Sequence, residues 1–347
     1  NVTGVQTCAL PISRLRREIA DRCPLEIEST NPHQTAPEHV ARDANDEDGF
    51  SGKQHAMRSD LEATDSITWD TCGTAPVWLR DACGVNDWAG TQAVRYVQAQ
   101  VAAVGMVPTT RQILFERFFD ESGGMQLVIH APLGARINRA WGLALRKRFC
   151  RSFDFELQAA ATDNGIVLSL SPQHSFPIEQ LFKMLGTHNG EHLLQQAVLA
   201  VPMFQVRWRW NVTRALAVLR NQGGKRVPFF LQRFRSDDLL AAAFPETVGC
   251  LENHHGDVEI PDHPLVQQTM RDCLEEAMDA PRWIGVLDAV QNGKIEFVPR
   301  DTREPSPFSH ELLNASPYAF LDGAGLEERR TRAVSTRRTL SPDDFRD

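Results

Sequence analysis

Two parts of the chain have the hydrophobic and polar pattern of β-hairpins. In the first, apolar runs at 112–119 and 125–130 flank the polar stretch Asp120-Glu-Ser-Gly-Gly124, as in a hairpin with a longer loop. In the second, runs at 155–159 and 166–170 bracket Asp163-Asn-Gly165, and Asn-Gly between apolar runs is a strong hairpin signal. The pattern therefore predicts a small antiparallel β-rich unit with hairpins near 112–130 and 155–170.

Between and after these hairpins the apolar spacing changes to that of helices. After Pro132-Leu-Gly134, apolar side chains fall on one helical stripe from Ile137 to Phe149. From Pro177 onward the spacing predicts helices at about 178–185, 190–200, 205–219, 236–243, 263–279 and 282–291, and a late strand at 294–298. Because strands and helices are segregated, the predicted fold class is α+β, a β-rich unit followed by a helical array.

The same pattern predicts how the chain is divided. Residues 14–75 are polar, with an acidic run at 43–48, and are predicted to be poorly ordered. Residues 76–106 are predicted to be a helical connector, 107–172 the β-rich unit with one basic helix, 173–300 the helical unit, and 301–347 a C-terminal segment. Residues 1–13 resemble the translation of a sequencing adapter, so we expect the chain to be a fragment.

Composition is that of a soluble globular protein, with 42% hydrophobic and 24% charged residues. No apolar run approaches the ~18 residues that cross a bilayer, so no membrane partner is expected. The seven cysteines form no CxxC pair, which is typical of the reducing cytosol and predicts a cytoplasmic location.

Charge is distributed unevenly along the chain, whose net charge is −8. Residues 131–235 carry 15 basic and 5 acidic side chains, a net charge of +10, whereas residues 236–347 carry 11 and 22, a net charge of −11. A basic block of this size predicts contact with a phosphate backbone. The alternative is a structural or protein-interaction module in which the basic central segment docks on the acidic C-terminal segment.

No motif for catalysis is visible. A nucleotide-binding P-loop requires G-x-x-x-x-G-K-[ST], and the nearest match, Gly223-Gly-Lys-Arg226, has Leu219 at the first glycine position and arginine at the hydroxyl position. His192 and Glu191 have no acid–base partner nearby in the sequence. The possible metal ligands match no zinc spacing; they are Cys250, His254, His255, His263 and Cys273. We predict no catalytic, cofactor-binding or metal-binding residue.

Two basic stretches are candidates for gripping a nucleic-acid strand. In residues 133–148 a glycine turn leads into a helix start, which suits a phosphate, and in residues 205–214 arginine and tryptophan alternate. For Trp141, core packing and stacking on an unpaired base are both open, whereas core packing is expected for Trp208 and Trp210. The predicted nucleic-acid-binding residues are Arg136, Arg139, Trp141, Arg146, Lys147, Arg207 and Arg209.

The order of several motifs resembles the large helicase-related (Lhr) family over roughly residues 76–340. The motifs are Phe115-Glu-Arg-Phe-Phe119, Gly134-Ala-Arg-Ile-Asn-Arg-Ala-Trp141, Asp163-Asn-Gly-Ile-Val-Leu168, Arg207-Trp-Arg-Trp-Asn211, Ile260-Pro-Asp-His-Pro264 and Pro305-Ser-Pro-Phe-Ser-His-Glu-Leu-Leu313. The resemblance implies the DEAD/H-associated region, which follows two RecA-like motor domains and a winged helix.

Members of that family are ATP- and magnesium-dependent helicases that translocate 3′ to 5′ on single-stranded DNA and unwind DNA or RNA–DNA duplexes, in DNA repair. The resemblance therefore implies ATP and magnesium for the parent protein and none in this fragment. It implies single-stranded DNA or an RNA–DNA hybrid as partner, together with the missing motor and winged-helix domains, and it favours base stacking for Trp141. The sequence thus predicts a nucleic-acid-binding accessory region of an Lhr-type helicase without the ATPase motor.

Overall fold

The computed structural model describes residues 6–22, 74–119, 124–153, 158–170, 177–248 and 256–315, with side chains of the first helix described from Ser13. The chain divides into two units. One consists of residues 14–107, and the other consists of residues 1–13 and 108–347. The possible metal ligands Cys250, His254 and His255 lie outside the described residues.

The smaller unit is helical where the structure describes it. Helix α1 (Gln6–Arg22) enters it at Arg14, and it is followed by α2 (Ala75–Cys83) and α3 (Asp87–Val104). Residues 14–22, predicted to be poorly ordered with the rest of 14–75, form the second half of α1, where Ile19 is buried. The predicted division of the chain stays a prediction. Residues 23–73 lie outside the described residues, and the adapter origin of 1–13 stays a prediction.

A mixed five-stranded sheet forms one side of the larger unit. The strands of the chain are β1 (Gln112–Phe119), β2 (Met125–His130), β3 (Gln158–Ala161), β4 (Gly165–Leu170), β5 (Asn221–Gln222), β6 (Lys225–Arg226) and β7 (Glu296–Asp301). The sheet order is β3-β4-β2-β1-β7, antiparallel except for the parallel β1–β7 pair. Both predicted hairpins are confirmed, and the late strand lies two or three residues beyond its predicted place.

Helix α4 (Ala135–Phe153) covers one face of this sheet. It begins after Gly134, whose φ of 96° suits a residue without Cβ. The Asp163 side chain accepts a hydrogen bond from the Ala135 amide at 2.8 Å and so caps the first turn from a distant turn. The predicted apolar stripe is confirmed, since its members are all buried: Ile137, Trp141, Ala144, Leu145 and Phe149.

Helices dominate after Pro177, as predicted. They are α5 (Thr187–Leu199), α6 (Pro202–Arg214), α7 (Phe229–Ala243), α8 (Pro264–Arg271), α9 (Ala280–Gln291) and α10 (Pro307–Ala315), with 3-10 helices at Ile178–Lys183 and Pro245–Val248 and a π-helix at Asp272–Ala277. The helix predicted at 205–219 ends at Arg214, and the unpredicted β5–β6 hairpin follows. Sheet and helices share one apolar core that includes Phe115, Trp208 and Trp283. The predicted α+β class is confirmed.

Hydrogen bonds to a buried carboxylate hold α10 against the sheet. Glu116 on β1 accepts hydrogen bonds from the Ser306 amide (2.7 Å) and from the hydroxyls of Ser306 (2.6 Å) and Ser309 (2.7 Å). Its Oε2 also lies 2.8 Å from His130 Nε2 on β2. Burial raises the pKa of Glu116, but the hydrogen bonds from His130 and Ser306 outweigh it and lower this pKa to about 2. The carboxylate is therefore ionised and paired inside the protein.

Candidate nucleic-acid interface

Two arginines in the first two turns of α4 are bonded to the end of the π-helix. Arg136 donates to the carbonyl oxygens of Glu275 and Met278, the latter at 3.0 Å, and Arg139 Nη1 donates to the Ala277 carbonyl at 3.2 Å. Carbonyls at a helix C-terminus lack intrahelical partners and form the negative end of its dipole, so they attract cations. The phosphate contact predicted for Arg136 and Arg139 stays a prediction, and it competes with these bonds.

Trp141 does not have the exposure that base stacking requires. Its side chain is 2% exposed, and its ring packs on Phe297 and Phe115 with centroids 5.6 and 6.2 Å apart. A nucleic-acid base cannot reach either face of this indole without opening the core between α4 and the sheet. The stacking role favoured for Trp141 is therefore corrected, because the apolar stripe of α4 buries it.

The other predicted contacts are divided between internal bonds and the surface. Arg207 Nη1 lies 3.2 Å from Glu276 Oε2, with the arginine side chain 15% exposed. Arg209 lies over the ring of Phe229, with its guanidinium carbon 5.7 Å from the ring centroid. Arg146 and Lys147 on α4 are half-buried, and both have interaction partners. None of the four is a freely exposed cation.

The tryptophans of α6 have different environments. Trp208 is fully buried, and its indole Nε1 donates to the Ser236 carbonyl at 2.8 Å, so its predicted core position is confirmed. The same expectation is wrong for Trp210, which is 47% exposed. Two residues along a helix differ by about 200° in direction, so both cannot face one core. Arg207 covers one side of the exposed ring, 5.5 Å from its centroid.

A strongly basic and apolar surface begins in the predicted stretch 205–214 and continues to Arg235, where the sequence predicted no individual contact residue. Residues 205–235 contain eight arginines and lysines and no acidic residue. We call the exposed side chains between Trp210 and Arg235 the basic-aromatic surface. Its cations are Arg214, Arg220, Lys225, Arg226, Arg233 and Arg235. Its apolar members are Trp210, Leu216, Leu219, Phe229, Phe230, Leu231 and Phe234.

Hydrogen bonds hold the β5–β6 hairpin against the first turns of α7. Gly223 and Gly224 have φ values of 58° and 74°, as a two-residue hairpin turn requires. Arg235 Nη1 donates to Gln222 Oε1 at 3.2 Å, and Gln232 Nε2 donates to the Val227 carbonyl at 2.7 Å. The cations of the hairpin and the rings of α7 are thus parts of one local structure.

Two sequence signals could have identified this surface. The Gly-Gly pair between Asn221-Gln222 and Lys225-Arg226 is a hairpin signal, and a 31-residue stretch without an acidic residue is unusual in a chain with a net charge of −8. The apolar spacing at 205–219 outweighs both signals, because it predicts a helix that reaches the edge of the hairpin. Exposure of the phenylalanines, by contrast, depends on which face of α7 the core covers.

The structure does not build a phosphate-binding loop from Gly223-Gly-Lys-Arg226. These residues form the turn and second strand of the exposed hairpin, whereas a P-loop connects a strand to the N-terminus of a helix. The described residues therefore do not fit ATP with magnesium at this motif. Across the described ranges, no group of three or more His, Cys, Asp or Glu is arranged to hold a metal ion. Burial raises the pKa of the Cys273 thiol to about 12.

One histidine has an acidic partner that the sequence did not indicate. His192 Nε2 on α5 lies 2.9 Å from Asp257 Oδ2, and Arg151 on α4 contacts the other oxygen of the same carboxylate. The hydrogen bonds from His192 and Arg151 lower the pKa of Asp257. This exposed group links two helices to the segment before α8, a structural role that requires no catalytic function.

No described helix is both long and apolar enough to traverse a lipid bilayer.

Comparison with known proteins gives a consistent result. The family model described as DEAD/H associated matches residues 107–309. The Lhr helicase/uracil glycosylase of Escherichia coli is 27% identical over 265 residues, which are 76% of this chain and 16% of that protein. The ATP-dependent helicase Lhr-Core of Saccharolobus solfataricus is 28% identical over 60% of this chain and 23% of its own length.

A solved structure supports the same assignment. It is the helicase Lhr of Mycobacterium smegmatis bound to single-stranded DNA and AMP-PNP, with 26% identity and a TM-score of 0.59. The match covers 69% of this chain and 29% of that one. The chain thus spans between a sixth and about a third of the length of these relatives. Since the family model covers more than half of its residues, the chain belongs to the DEAD/H associated family, in the form that Lhr helicases share.

Proposed function

We propose that this chain is the part of an Lhr-type ATP-dependent DNA helicase that holds single-stranded DNA, or the DNA strand of an RNA–DNA duplex, while a motor elsewhere in the protein moves it. ATP and magnesium belong to that motor, which accompanies a winged-helix domain, and the process served is DNA repair in the cytoplasm. The Mycobacterium smegmatis relative bound to single-stranded DNA supports the choice of partner.

The observation that carries the proposal is the set of exposed cations on the basic-aromatic surface. Arg220, Lys225 and Arg226 are exposed, and none of them has an ion-pair partner among the described residues. Cations gathered without carboxylates repel one another, and a bound polyanion removes that repulsion. A phosphate backbone supplies that charge and releases counterions when it binds.

The experiment is a titration of a fluorescently labelled single-stranded oligonucleotide with the full chain at several salt concentrations. We expect the logarithm of affinity to fall with the logarithm of salt concentration, by about 0.7 per neutralised phosphate. The variant R220A/K225A/R226A should bind at least about tenfold more weakly and with a shallower salt slope.

The matched control is R271A/K294A/R303A, which removes the same charge from exposed positions outside the surface. It should retain the affinity and the slope of the unmodified chain. An affinity independent of salt, or an equal loss in both triple variants, would contradict the proposal.

The alternative, in which the basic central segment docks on the acidic C-terminal segment, is favoured by a different observation. Arg151 pairs with Asp257, and Arg207 pairs with Glu276, across these two segments. We propose that these arginines hold the fold together and that the exposed cations bind the strand. In the same titration, Arg207→Ala should leave the affinity within about twofold, because the Arg207 side chain is largely buried and paired with Glu276. The variant should stay folded, since an ion pair with an exposed partner contributes only about 0–1 kcal/mol to stability.

A further inference from the structure

The first two turns of α7 present aromatic rings to solvent. Phe230 and Phe234 are 59% and 64% exposed, and they lie four residues apart, on one side of the helix. In this helix only Ser236 and Leu240 are buried among its described residues. A helix in a soluble protein ordinarily turns its apolar residues to the core, so these rings are placed where a second molecule can reach them.

The rings differ in how much of their surface is already used. Arg209 lies over Phe229, and Arg207 lies over Trp210. Phe230 and Phe234, in contrast, have no ring partner or cation over them among the described residues. More than half of each of these two residues is exposed, so ring surface is available for stacking.

The charge around the rings indicates what stacks on them. Protein–protein interfaces are depleted of charge at their centres, whereas this surface interleaves rings with arginines. Residues 205–235 contain no carboxylate, and the next one, Asp237, pairs with Arg233 at 3.9 Å. Surfaces that bind single strands combine a basic track for the backbone with aromatic rings for successive bases. Paired bases in a duplex already stack on each other, so only an unpaired strand offers free faces to such rings.

We propose that Phe230 and Phe234 form a base-stacking platform for single-stranded DNA, while Arg220, Lys225 and Arg226 of the adjoining hairpin hold its phosphates. This proposal rests on the proposed function and adds the residues on which the bases stack. The hydrogen bonds Arg235–Gln222 and Gln232–Val227 hold the hairpin against α7, so the phosphate contacts stay at a fixed distance from the two rings. Two rings separated by about 6 Å along the helix axis leave room for one base each.

The test compares two probes of equal length with the full chain: oligo-thymidine, and an oligonucleotide of abasic sites that keeps the sugar–phosphate backbone. F230A/F234A should lose about tenfold or more in affinity for oligo-thymidine and change little for the abasic strand. R220A/K225A/R226A should weaken the binding of both probes. F230W/F234W, which keeps aromatic faces, should bind oligo-thymidine at least as tightly as the unmodified chain.

The control for lost apolar area is L219A/L231A, which removes exposed side chains without rings from the same surface and should leave both affinities unchanged. Since all substituted side chains are exposed, the variants should unfold at the same temperature as the unmodified chain. If F230A/F234A has no effect, or weakens both probes equally, the platform is overturned, and the surface instead meets a protein domain. The proposed function survives that result when the cation variant still weakens both probes, and fails when neither probe binds in a salt-dependent way.

Discussion

At the scale of single residues, Leu216 has an unfavourable backbone conformation at the end of α6. Its φ is 60°, in the left-handed region where Cβ approaches the following carbonyl. The Leu216 amide donates to the Thr213 carbonyl (3.2 Å) and the Ala217 amide to the Val212 carbonyl (2.9 Å), which is the bonding of a Schellman motif. Glycine is the usual residue at that position, yet here a leucine stands there with 73% of its side chain exposed.

We expect Leu216→Gly to raise the free energy of unfolding by about 1 kcal/mol. The change removes the Cβ strain, of about 1–2 kcal/mol, and the greater freedom of glycine in the unfolded chain offsets part of it. Urea unfolding followed by circular dichroism measures the difference. Ala217→Gly is the control, since Ala217 has no positive φ and should gain nothing. A loss of stability in Leu216→Gly would show that the exposed leucine packs better than its exposure suggests.

At the scale of elements, the Glu116 cluster joins α10 to β1 and β2. The Ser306 and Ser309 bonds come from the start of α10, in the motif Pro305-Ser-Pro-Phe-Ser309 that carried the resemblance to the Lhr family. A buried carboxylate costs several kcal/mol unless it is paired and hydrogen-bonded, and here hydroxyls, an amide and His130 all meet it. That requirement explains why small hydroxyl residues occupy those two positions.

This cluster predicts an acid-sensitive contribution to stability. The pKa of Glu116 is about 2 in the folded chain, against an ordinary value of 4.5 for an exposed glutamate. This difference corresponds to about 3 kcal/mol of stability. Because the folded pKa is the lower one, the stabilisation is present above pH 4.5 and is lost as the pH falls from there through 2. Glu116→Gln should be less stable than the unmodified chain by about 3 kcal/mol at neutral pH, and the gap should close towards pH 2.

Denaturant unfolding at a series of pH values between 2 and 7 measures that gap. Glu304→Gln is the control, because this exposed carboxylate lies just before α10 and its removal should leave the acid profile as it is. A gap that stays constant with pH would mean that the variant acts through packing and not through the charge of Glu116.

At the scale of the whole molecule, the basic cluster of α4 serves a different purpose from that of the hairpin. Arg136 and Arg139 join the sheet-bound α4 to the carbonyl end of the π-helix, about 140 residues away in the chain. The side chains of Arg220, Lys225 and Arg226 have no hydrogen-bond or ion-pair partner within the described residues. One basic block of the sequence therefore supplies both the arginines that bond α4 to the π-helix and the cations of an exposed surface.

We expect R136A/R139A to lower the free energy of unfolding by about 2–4 kcal/mol. Hydrogen bonds from charged groups contribute up to about 1.5–3 kcal/mol each, and these bonds contribute less because they are only part-buried or exposed. The folded variant should keep its affinity for single-stranded oligonucleotides. Urea unfolding and fluorescence titration, on the same preparation, measure the two quantities. R220A/K225A/R226A should give the reverse, with stability kept and affinity reduced. A large loss of affinity in R136A/R139A would contradict this expectation and support the phosphate contacts that the sequence predicted for the two arginines.

The sequence by itself determined the secondary structure where local patterns were strong. Asn-Gly between apolar runs predicted the β3–β4 hairpin, and the apolar stripe of α4 predicted a buried face from Ile137 to Phe149. It also determined the α+β class, the family resemblance and the position of the positive charge along the chain. These properties depend on neighbouring residues, which the one-dimensional order contains.

Only the tertiary structure decided which of those charges and rings remain available. Trp141 and Phe230 are both aromatic residues near arginines, but the sheet covers the first and the second stays 59% exposed. Arg136 and Arg220 are both arginines of the basic block, but only the first meets the end of a distant helix. Availability depends on contacts between residues far apart in the chain, which follow from how the elements pack and not from the local pattern of any of them.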